Sequence, residues 1–495
     1  MVSGAIKTCA ERILSCDAWT GTCFFVNLHC QKRNIISSVI YHNRRVAQVI
    51  KLRRGRDVRL SGAAEKVKET PAVGGIYALR PDDYYGMKPK VVVREGDTVK
   101  VGDPLFVNKQ QTEMRVVSPV SGTVHAVVRG ERRKVLAIEV EADGQQTAVD
   151  FGTKRPQDMA GADVKAFLME TGMLALLQKR PYAITAEPDD TPKAIFVTAF
   201  SRMPLAADTT YVLKGREQDF LTGIEALSRV AKVFLGISPE QVGEAFTKTE
   251  RATVTVFDGP NPSGNVGVHI NHLSPVNKGE VVWTADAETV AIIGHVFATG
   301  HVSLERTVAL AGSCVKAPRY YSIPIGTSLA RLTEGRIAED RHVRLINGNP
   351  LVGQATTGAD YLGAHVTEVT AIPEGDDVDE ILGWIMPRLK DFSTSRSYFS
   401  WLQGKHKSYA LDARVKGGER HIIMSGEYDR VFPMDIMAGY LVKAILAGDI
   451  DRMEQLGIYE VAPEDFAVAE FVDSSKLELQ RIVREGLDLL RKEMA

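Results

Sequence analysis

Residues 257–276, FDGPNPSGNVGVHINHLSPV, contain the residue types and spacings that most suggest a functional loop. Three glycines follow a short alternating strand pattern, and a strand that ends in such a loop is where α/β proteins often bind ligands. The spacing matches neither GxGxxG nor a P-loop, and the HxxH pair lacks the glutamate and spacing of a zinc-binding helix. The loop is either a rigid connector or a ligand contact. The candidate contacts are Gly259, Gly264, Gly267 and His269.

Four of the five cysteines lie near the N-terminus at intervals of seven: Cys9, Cys16, Cys23 and Cys30. Zinc and iron–sulfur sites use much closer pairs, so this spacing predicts no metal centre. Cys314 lies in an apolar run and is predicted to be a small buried hydrophobic residue. Downstream of Cys30 it is the only cysteine. One thiolate cannot hold an iron–sulfur cluster, so no cluster is expected there.

An alternating α/β pattern must position the 257–276 loop. Apolar periodicity predicts strands at residues 194–200, 252–256 and around 308–310, and helices at 218–233 and 286–299. Asp286 is a natural N-cap for the last of these helices. The composition of residues 187–192, EPDDTP, predicts a linker before this region.

Short β-rich runs separated by turn pairs fill residues 91–140, and their order resembles the biotinyl/lipoyl hammerhead barrel. Carrier domains of that kind present a lysine on the hairpin between the two halves. The nearest lysine, Lys109, follows Leu105 too closely in the sequence to occupy the tip of that hairpin. The barrel is therefore interpreted as an unmodified docking module, and a carrier function would require a mass increment on a lysine.

The rest of the chain is predicted to contain three helices and a turn between short strands. An apolar helix is predicted over residues 167–177, and a turn at Asn347-Gly348-Asn349-Pro350 separates short strands. Pro433 is placed at a helix start. Met437, Leu441 and Ile445 form the predicted apolar face of this helix, which ends at Gly448. A terminal helix is also predicted, with Leu479, Ile482, Val483 and Leu490 on its apolar face.

Composition excludes some classes of function. The 495 residues include 61 Lys and Arg against 62 Asp and Glu, a net charge of −1. This balance gives no general electrostatic reason to bind nucleic acid or an anionic membrane. No apolar run approaches the roughly 18 residues that a transmembrane helix needs. If the protein works at a membrane, other chains are expected to hold it there.

Six stretches identify the chain as resembling the A-subunit family of the bacterial sodium-translocating NADH:quinone oxidoreductases. They occur in the family's order, from about residue 48 to the C-terminus. They are residues 50–65, 83–106, 118–135, 194–208, 259–276 and 426–437, among them IKLRRGRDVRLSGAAE, DYYGMKPKVVVREGDTVKVGDPLF and GEYDRVFPMDIM.

The resemblance implies an α/β multidomain chain. A biotinyl/lipoyl-like β barrel with a flanking strand and helix is expected at 48–190, followed by a Rossmann-like α/β domain at 191–330. That architecture is similar to the flavin subunit of complex I. A β-grasp-like domain is expected at 331–425 and a helical domain at 426–495. Residues 1–47 precede the family's usual start and are expected to be a disordered extension.

Quinone is the ligand that the resemblance implies. A quinone site needs an apolar slot, an aromatic wall and a hydrogen-bond donor for each carbonyl. Two stretches supply such groups, although their tyrosines could equally pack domain junctions. The candidates are Tyr84, Tyr85, Met87 and Lys88 in the first stretch, and Arg180 and Tyr182 in the second.

Two functions remain open. The chain is expected to be a peripheral subunit of a translocase that oxidises NADH, reduces ubiquinone or menaquinone and pumps sodium, with a contribution to quinone binding. Alternatively, it is a purely structural docking subunit without its own ligand site. By resemblance, flavins and iron centres reside in partner subunits, and this chain carries neither a covalent cofactor nor a cluster. No complete active site is expected in this chain alone.

The same resemblance implies the partners and the location. The partners would be the five other subunits, chiefly the quinone- and flavin-bearing membrane subunit, and no nucleic acid. The chain would lie on the cytoplasmic face of the bacterial inner membrane, held there by membrane subunits.

Removing residues 1–47 should leave assembly of the complex unchanged, because the family resemblance begins after them. Co-purification of the truncated chain with its partner subunits would measure this. Loss of assembly on truncation would contradict the interpretation of this segment as an extension.

Overall fold

The computed structural model describes residues 46–376, 388–389, 391–394, 398–404, 407–422 and 426–494. The predicted extension lies outside these residues except for its last two, and the four N-terminal cysteines lie outside them entirely. The chain divides into two units, Met1–Val46 and Ala47–Ala495, and the side-chain contacts below all belong to the second. Among the described helices, none is both long and apolar enough to cross a bilayer.

The described strands are Val46–Lys51 (β1), Glu65–Glu69 (β2), Gly75–Leu79 (β3), Pro89–Val91 (β4), Thr98–Val99 (β5), Pro104–Asn108 (β6), Arg115–Val117 (β7), Gly122–Arg129 (β8), Val135–Ala142 (β9), Gln178–Arg180 (β10), Ile184–Thr185 (β11), Ala194–Thr198 (β12), Lys232–Ile237 (β13), Ala252–Asp258 (β14), Val282–Asp286 (β15), Glu305–Ala311 (β16), Arg319–Pro324 (β17), Val343–Asn347 (β18), Gln354–Thr356 (β19) and Glu368–Pro373 (β20).

The described α-helices are Gly161–Glu170 (α1), Thr209–Val212 (α2), Glu217–Val230 (α3), Val266–Leu273 (α4), Ala287–Thr299 (α5), Leu329–Thr333 (α6), Gly426–Asp429 (α7), Ala438–Ala447 (α8), Ile450–Gln455 (α9), Ala467–Val472 (α10) and Leu479–Met494 (α11).

Two small antiparallel sheets lie between residues 75 and 142, with strand orders β3-β9-β8-β5 and β4-β6-β7. Gly122 at the start of β8 is required by a close approach, because a Cβ there would lie 1.9 Å from the carbonyl oxygen of Glu141. Lys109 directly follows β6 and is exposed. Its backbone N–H donates to the carbonyl of Lys88.

A seven-stranded sheet follows the order β1-β14-β13-β12-β15-β10-β11. Strands β12 to β15 are parallel, with β12 between β13 and β15, so the chain extends the sheet first on one side of β12 and later on the other. In open α/β sheets this reversal leaves a crevice at the carboxyl ends of the strands, where ligands usually bind. In this sheet the crevice lies between Thr198 and Asp286, which are paired in register.

A six-stranded sheet has the strand order β19-β18-β20-β16-β17-β2. It contacts the small antiparallel sheets through Tyr361 and Glu139, and the seven-stranded sheet through Arg306 and Asp286. Strand β2 comes from before the barrel, while β1, β10 and β11 join the seven-stranded sheet from the predicted first domain. The predicted strands and the helices α3, α5 and α11 are present, and Asp286 caps α5 by accepting a hydrogen bond from the backbone N–H of Thr289. Cys314 is buried, as predicted.

Three local predictions differ from the structure. The helix expected over 167–177 instead occupies Gly161–Glu170, because Gly172 adopts a left-handed conformation and a 3-10 turn follows. The helix expected from Pro433 begins at Ala438, which leaves Met437 exposed before its first turn. Gly448 ends it as expected. The third difference concerns the predicted linker at residues 187–192.

The predicted linker contains a buried carboxylate. Lys179 Nζ lies 2.6 Å from Asp190 Oδ1, and the Trp283 indole N–H donates to Asp190 Oδ2 at 3.2 Å. The backbone N–H of Glu187 donates to the same oxygen. Asp190 therefore joins β10 to β15 through side chains as well as through the sheet. A polar, proline-containing composition predicted exposure, but the ammonium of Lys179 makes burial of this carboxylate favourable.

A buried arginine, Arg306 on β16, fills the crevice of the parallel sheet. Its side chain is fully buried, and Nη1 and Nη2 both lie 3.4 Å from Oδ2 of Asp286. Nη2 also donates to the Thr289 hydroxyl at 2.6 Å. Glu288 Oε2 lies 3.6 Å from Nη1. The N-terminus of α5 and the crevice beside it are thus occupied by side chains of the chain itself.

The carboxylates around Arg306 titrate differently. Burial acts to raise the pKa of Asp286, but Arg306 and the hydrogen bonds from Thr289 hold it below its usual value. For Glu288 burial outweighs Arg306 and Arg216, and its pKa is raised to about 7. Burial lowers the pKa of the neighbouring His365 to about 4, so this imidazole is neutral at pH 7.

Asp190→Ala should lower the free energy of unfolding by about 3 kcal/mol, because it removes one of the two carboxylates that pair with the buried Lys179 ammonium, the other being Glu187, and leaves the Trp283 indole N–H without its acceptor. Urea unfolding would measure the loss. Asp189→Ala is the matched control, since Asp189 is exposed and hydrogen-bonds only Gln111 at the surface. It should change stability by less than about 0.5 kcal/mol. Equal effects of the two substitutions would contradict the role assigned to Asp190.

Glu288→Gln should change the pH dependence of stability. The folded-state pKa of about 7 lies above the ordinary 4.5, so the wild type loses stability as pH rises through this window while the glutamine variant does not. The difference between the two should change by about 3 kcal/mol across it. Unfolding at a series of pH values would test this, and parallel profiles would contradict a protonated Glu288.

Candidate functional site

The two stretches predicted to contact quinone lie side by side beneath the terminal helix. The backbone N–H of Thr185 donates to the carbonyl of Tyr85 at 2.8 Å, which joins them directly. Arg484 on α11 donates through Nη2 to the carbonyl of Tyr182 at 2.6 Å. Arg491, further along α11, lies 3.4 Å from the carbonyl of Gly86. The two predicted stretches are thus parts of one junction.

Tyr84 lies inside this junction and not on its surface. Its ring is fully buried and packs edge-on against Phe106 at 5.7 Å and against His365 at 6.2 Å between centroids. Burial raises the pKa of its phenol strongly, so the side chain is neutral. Tyr84 therefore connects the barrel to the cluster around Arg306.

Tyr85 faces the opposite way and is 43% exposed. Its hydroxyl donates to Asp488 Oδ2 at 2.6 Å, and the guanidinium of Arg484 lies 4.5 Å from the ring centroid. Burial and the hydrogen bond to Asp488 raise the pKa of the phenol. Arg484 and Asp488 were not predicted from sequence. Their i, i+4 spacing on a terminal helix was a signal for an ion pair, but it did not indicate what they would contact.

Arg180 is fully buried, and Nη2 donates to Glu464 Oε1 at 2.6 Å. Within the part of the chain that the structure describes, Nε and Nη1 have no hydrogen-bond partner. The guanidinium also lies near Asp465, whose pKa is raised to about 7 by burial and by Glu464, against the effect of Arg180. Arg180 thus belongs to a buried polar cluster.

The remaining three residues of this prediction are partly exposed at the same junction: Met87, Lys88 and Tyr182. Burial raises the pKa of the Tyr182 phenol, and the nearby Lys179 and Arg491 act in the opposite direction. Together with Tyr85 they offer a phenol-rich surface.

The glycines of the 257–276 loop lie against the chain's own atoms. A Cβ on Gly259 would lie 2.7 Å from the Leu52 side chain, and one on Gly264 would lie 2.9 Å from the carbonyl oxygen of Phe200. Gly267 packs directly on the Asp465 carboxylate. These contacts favour the rigid connector over the ligand contact, because larger residues could not occupy the same positions.

His269 is buried in the same loop. Its ring stacks on Phe257 with centroids 3.9 Å apart, and Nε2 donates to the carbonyl of Ser263 at 3.0 Å. Burial lowers the pKa of the imidazole to about 3, so it is neutral. The second histidine of HxxH, His272, turns to its own helix and bonds the carbonyl of Val268. No group of three or more His, Cys, Asp or Glu side chains suited to a metal occurs among the described residues.

A cleft of about 640 Å³ between the six-stranded sheet and the C-terminal helices was not predicted from sequence. None of the predicted quinone residues lines it. Its aromatic wall is formed by Phe392, Tyr398 and Phe471, and Phe392 and Phe471 lie 5.8 Å apart between ring centroids. Its lining comes from residues as far apart in sequence as Val58 and Glu478, so no local motif marks it.

Four cationic and three anionic side chains line the cleft. Arg344 is paired with Glu374, whereas Lys416 lies 3.3 Å from Asp391 and 3.7 Å from Asp412. Arg414, Lys476, Glu470 and Glu478 also line it. Burial raises the pKa of Glu470, so this carboxyl is more readily protonated than usual. The cleft therefore combines an apolar, aromatic interior with several hydrogen-bond donors.

Comparisons with known proteins agree with the observed units. Residues 50–143 match the family described as the NqrA N-terminal barrel-sandwich hybrid domain, and residues 159–302 match the NqrA second alpha/beta domain. Residues 307–358 match the NQRA C-terminal domain. These matches confirm a multidomain α/β chain with a barrel-sandwich N-terminal domain.

Full-length relatives are also similar. The A subunit of the Na(+)-translocating NADH-quinone reductase of Yersinia pestis is 34% identical over 451 residues, which cover 90% of this chain and 100% of the relative. The corresponding protein of Haemophilus influenzae is 34% identical over 450 residues, with the same coverage. An NAD+-reducing [NiFe]-hydrogenase chain is 14% identical, with a TM-score of 0.32 over 45% of this chain and 49% of that one. The full-length identities confirm the predicted resemblance, and the chain belongs to the A-subunit family of the Na(+)-translocating NADH-quinone reductases.

Proposed function

We propose that this chain is a peripheral subunit of a redox-driven sodium pump that oxidises NADH and reduces quinone, and that it contributes to quinone binding. The names of its relatives support the first part. The single observation that carries the second part is the aromatic cleft of about 640 Å³. The competing function is a structural docking subunit without a ligand site of its own.

The size of the cleft suits a quinone. Pockets for small molecules measure about 300–1,000 Å³ and combine apolar or aromatic walls with a few polar groups. A quinone ring is flat and uncharged, so it can stack on Phe471 and Phe392, whose rings are tilted by 48° to one another. Leu351, Ile372 and Leu477 supply aliphatic surface for an isoprenoid tail.

Quinone carbonyls need hydrogen-bond donors. Lys476 lines the cleft five residues beyond Phe471, between α10 and α11, and its ammonium is the donor proposed for one carbonyl. Arg414, which also lines the cleft, is proposed for the other. These two basic side chains would stabilise negative charge that develops on the quinone oxygens during reduction.

The junction predicted from sequence is the second proposed location. Tyr85, Met87, Lys88 and Tyr182 are accessible there, whereas Tyr84 and Arg180 support them from the interior. A quinone at this surface would stack beside Tyr85 and replace its hydrogen bond to Asp488. The cleft is the stronger candidate because its lining combines aromatic walls with hydrogen-bond donors.

The other expectations from the family resemblance extend the proposal. Flavins and iron centres belong to partner subunits, including the membrane subunit that carries quinone and flavin, and this chain lies on the cytoplasmic face of the membrane. The seven-stranded unit is proposed to be Rossmann-like because of the strand order β14-β13-β12-β15, and the six-stranded unit β-grasp-like. The predicted domain boundaries at residues 190, 330 and 425 belong to the same proposal.

Phe471→Ala should weaken binding of the short-chain quinone ubiquinone-1 about tenfold, because it removes one wall of the cleft. Lys476→Gln, which preserves most of the packing, should weaken it less and should lower the quinone reductase rate of the assembled enzyme. Titration of the isolated chain and steady-state kinetics of the complex are the measurements. Tyr440→Ala is the control, because Tyr440 is exposed on α8 and does not line the cleft.

Tyr85→Ala and Tyr182→Ala test the other location in the same assays. A loss confined to these two variants would place the quinone at the junction and not in the cleft. If the isolated chain binds no quinone and all four substitutions leave the quinone KM of the complex unchanged, the chain is a docking subunit.

A further inference from the structure

One turn of 3-10 helix, Phe399–Gln403, exposes three bulky apolar side chains. Phe399 is 54% exposed, Trp401 49% and Leu402 64%. Single exposed apolar residues are common on soluble proteins, but several together on one turn indicate a surface that something else covers. The turn therefore marks an interaction surface.

Contacts join this turn to neighbouring apolar and basic residues. The Arg388 guanidinium lies 5.5 Å from the ring centroid of Tyr398, directly before the turn. Lys407 Nζ donates to the carbonyl of Leu389 at 2.6 Å, and Leu389 is itself exposed. Arg388 and Lys416 both lie 3.3 Å from Asp391, and Val415, next to Lys416 in the chain, is exposed. We call this surface the aromatic–basic patch: Arg388, Leu389, Phe399, Trp401, Leu402, Lys407, Val415 and Lys416.

The charge of the surrounding segment differs from that of the chain. Residues 388–421 contain eight Lys and Arg against three Asp and Glu, a net charge of +5, whereas the whole chain has a net charge of −1. Positive charge is thus concentrated in the same segment as the exposed aromatic residues. Among the described residues of this segment, five cations stand against three anions, so the segment is basic although the protein as a whole is not.

We propose that the aromatic–basic patch binds the surface of a membrane that contains anionic lipids. Tryptophan and other aromatic side chains favour the headgroup level of a bilayer, because their rings are apolar at one end and polar at the other. Lysine and arginine beside them pair with lipid phosphates, and their aliphatic stems remain in apolar surroundings. A shallow insertion of Trp401, Leu402 and Phe399 would satisfy both requirements.

A lipid surface suits the patch better than a protein partner. Interfaces between proteins bury aromatic anchors in fitted pockets and are depleted of lysine, whereas the apolar side chains of this patch protrude from one short turn between basic groups. A fluid headgroup layer needs no matching shape. Attachment of this kind requires no transmembrane helix and does not depend on the proposed quinone site.

Vesicle co-sedimentation with the full chain tests the proposal. The probes are vesicles of phosphatidylcholine alone and of phosphatidylcholine with about one third phosphatidylglycerol. The wild type should sediment with the anionic vesicles, and high salt should release it. Trp401→Ala/Leu402→Ala should lower the partition coefficient about tenfold. The matched control is Tyr440→Ala/Leu446→Ala, which removes an aromatic residue and a leucine that are 62% and 58% exposed on α8. It should bind as the wild type does.

Leu402→Asp provides a second variant, since one exposed side chain is changed to a charge that repels anionic lipid, and thermal unfolding verifies that each variant is folded. Unchanged vesicle binding by both patch variants would overturn the proposal, as would equal binding of the wild type to neutral vesicles. If the patch variants bind vesicles as the wild type does but no longer co-purify with the other subunits, the patch is a protein docking surface and the proposal is wrong. Quinone titrations in vesicle-free solution remain separate, because the patch variants leave Phe471 and Lys476 intact.

Discussion

The buried guanidinium of Arg306 is the interaction on which the arrangement of the sheets depends. A fully buried charge is costly unless it is paired and hydrogen-bonded, and Asp286, Glu288 and Thr289 supply those partners from the seven-stranded unit. Because Arg306 itself belongs to the six-stranded sheet, the two sheets cannot separate without leaving the guanidinium unpaired on one and the carboxylates unpaired on the other. The crevice that opens at the strand reversal of many α/β sheets is consequently a structural joint in this chain. The aromatic cleft proposed to bind quinone lies apart from this joint, beside the C-terminal helices.

The sequence predicted elements with a strong local signal and failed where distant residues decide the outcome. Helix α5 was predicted because its apolar periodicity and the Asp286 cap are contained in a few consecutive residues. Asp190 was misassigned to a linker because its burial depends on Lys179 and Trp283, neither of which is visible in the composition of EPDDTP. The helix expected at 167–177 was shifted because a single left-handed glycine outweighed the apolar run that crosses it. Arg306 offered no signal at all, since an arginine within a strand usually faces solvent.

Prediction of the candidate site was also limited by contacts between residues that are distant in sequence. The stretches around Tyr84 and Tyr182 were both predicted to supply quinone contacts. They lie side by side in the structure, joined by Thr185 and by α11. Which tyrosine is accessible was not predictable, because Tyr84 turns to His365 and Tyr85 to Asp488 only once the three units are packed. The cleft was not predictable for a related reason, since its lining is drawn from the segment near Val58, the six-stranded sheet, helix α10 and the segment that follows this helix. Only the family resemblance suggested that a quinone should be sought.

The segment that contains Phe392 and Tyr398 connects the two proposals physically. Its inner residues line the cleft, and the following turn exposes Phe399, Trp401 and Leu402 to the outside. Long-tailed quinones partition into lipid and are scarce in water, so a site that drew on them would need its entrance close to the bilayer. A patch that places this segment in the headgroup layer provides that proximity without burying the chain in the membrane. Because Lys416 lies both in the cleft lining and in the patch, the charge of the headgroups would also act on the electrostatics of the cleft. Membrane attachment and quinone affinity would then be coupled through one short basic segment, although each can exist without the other.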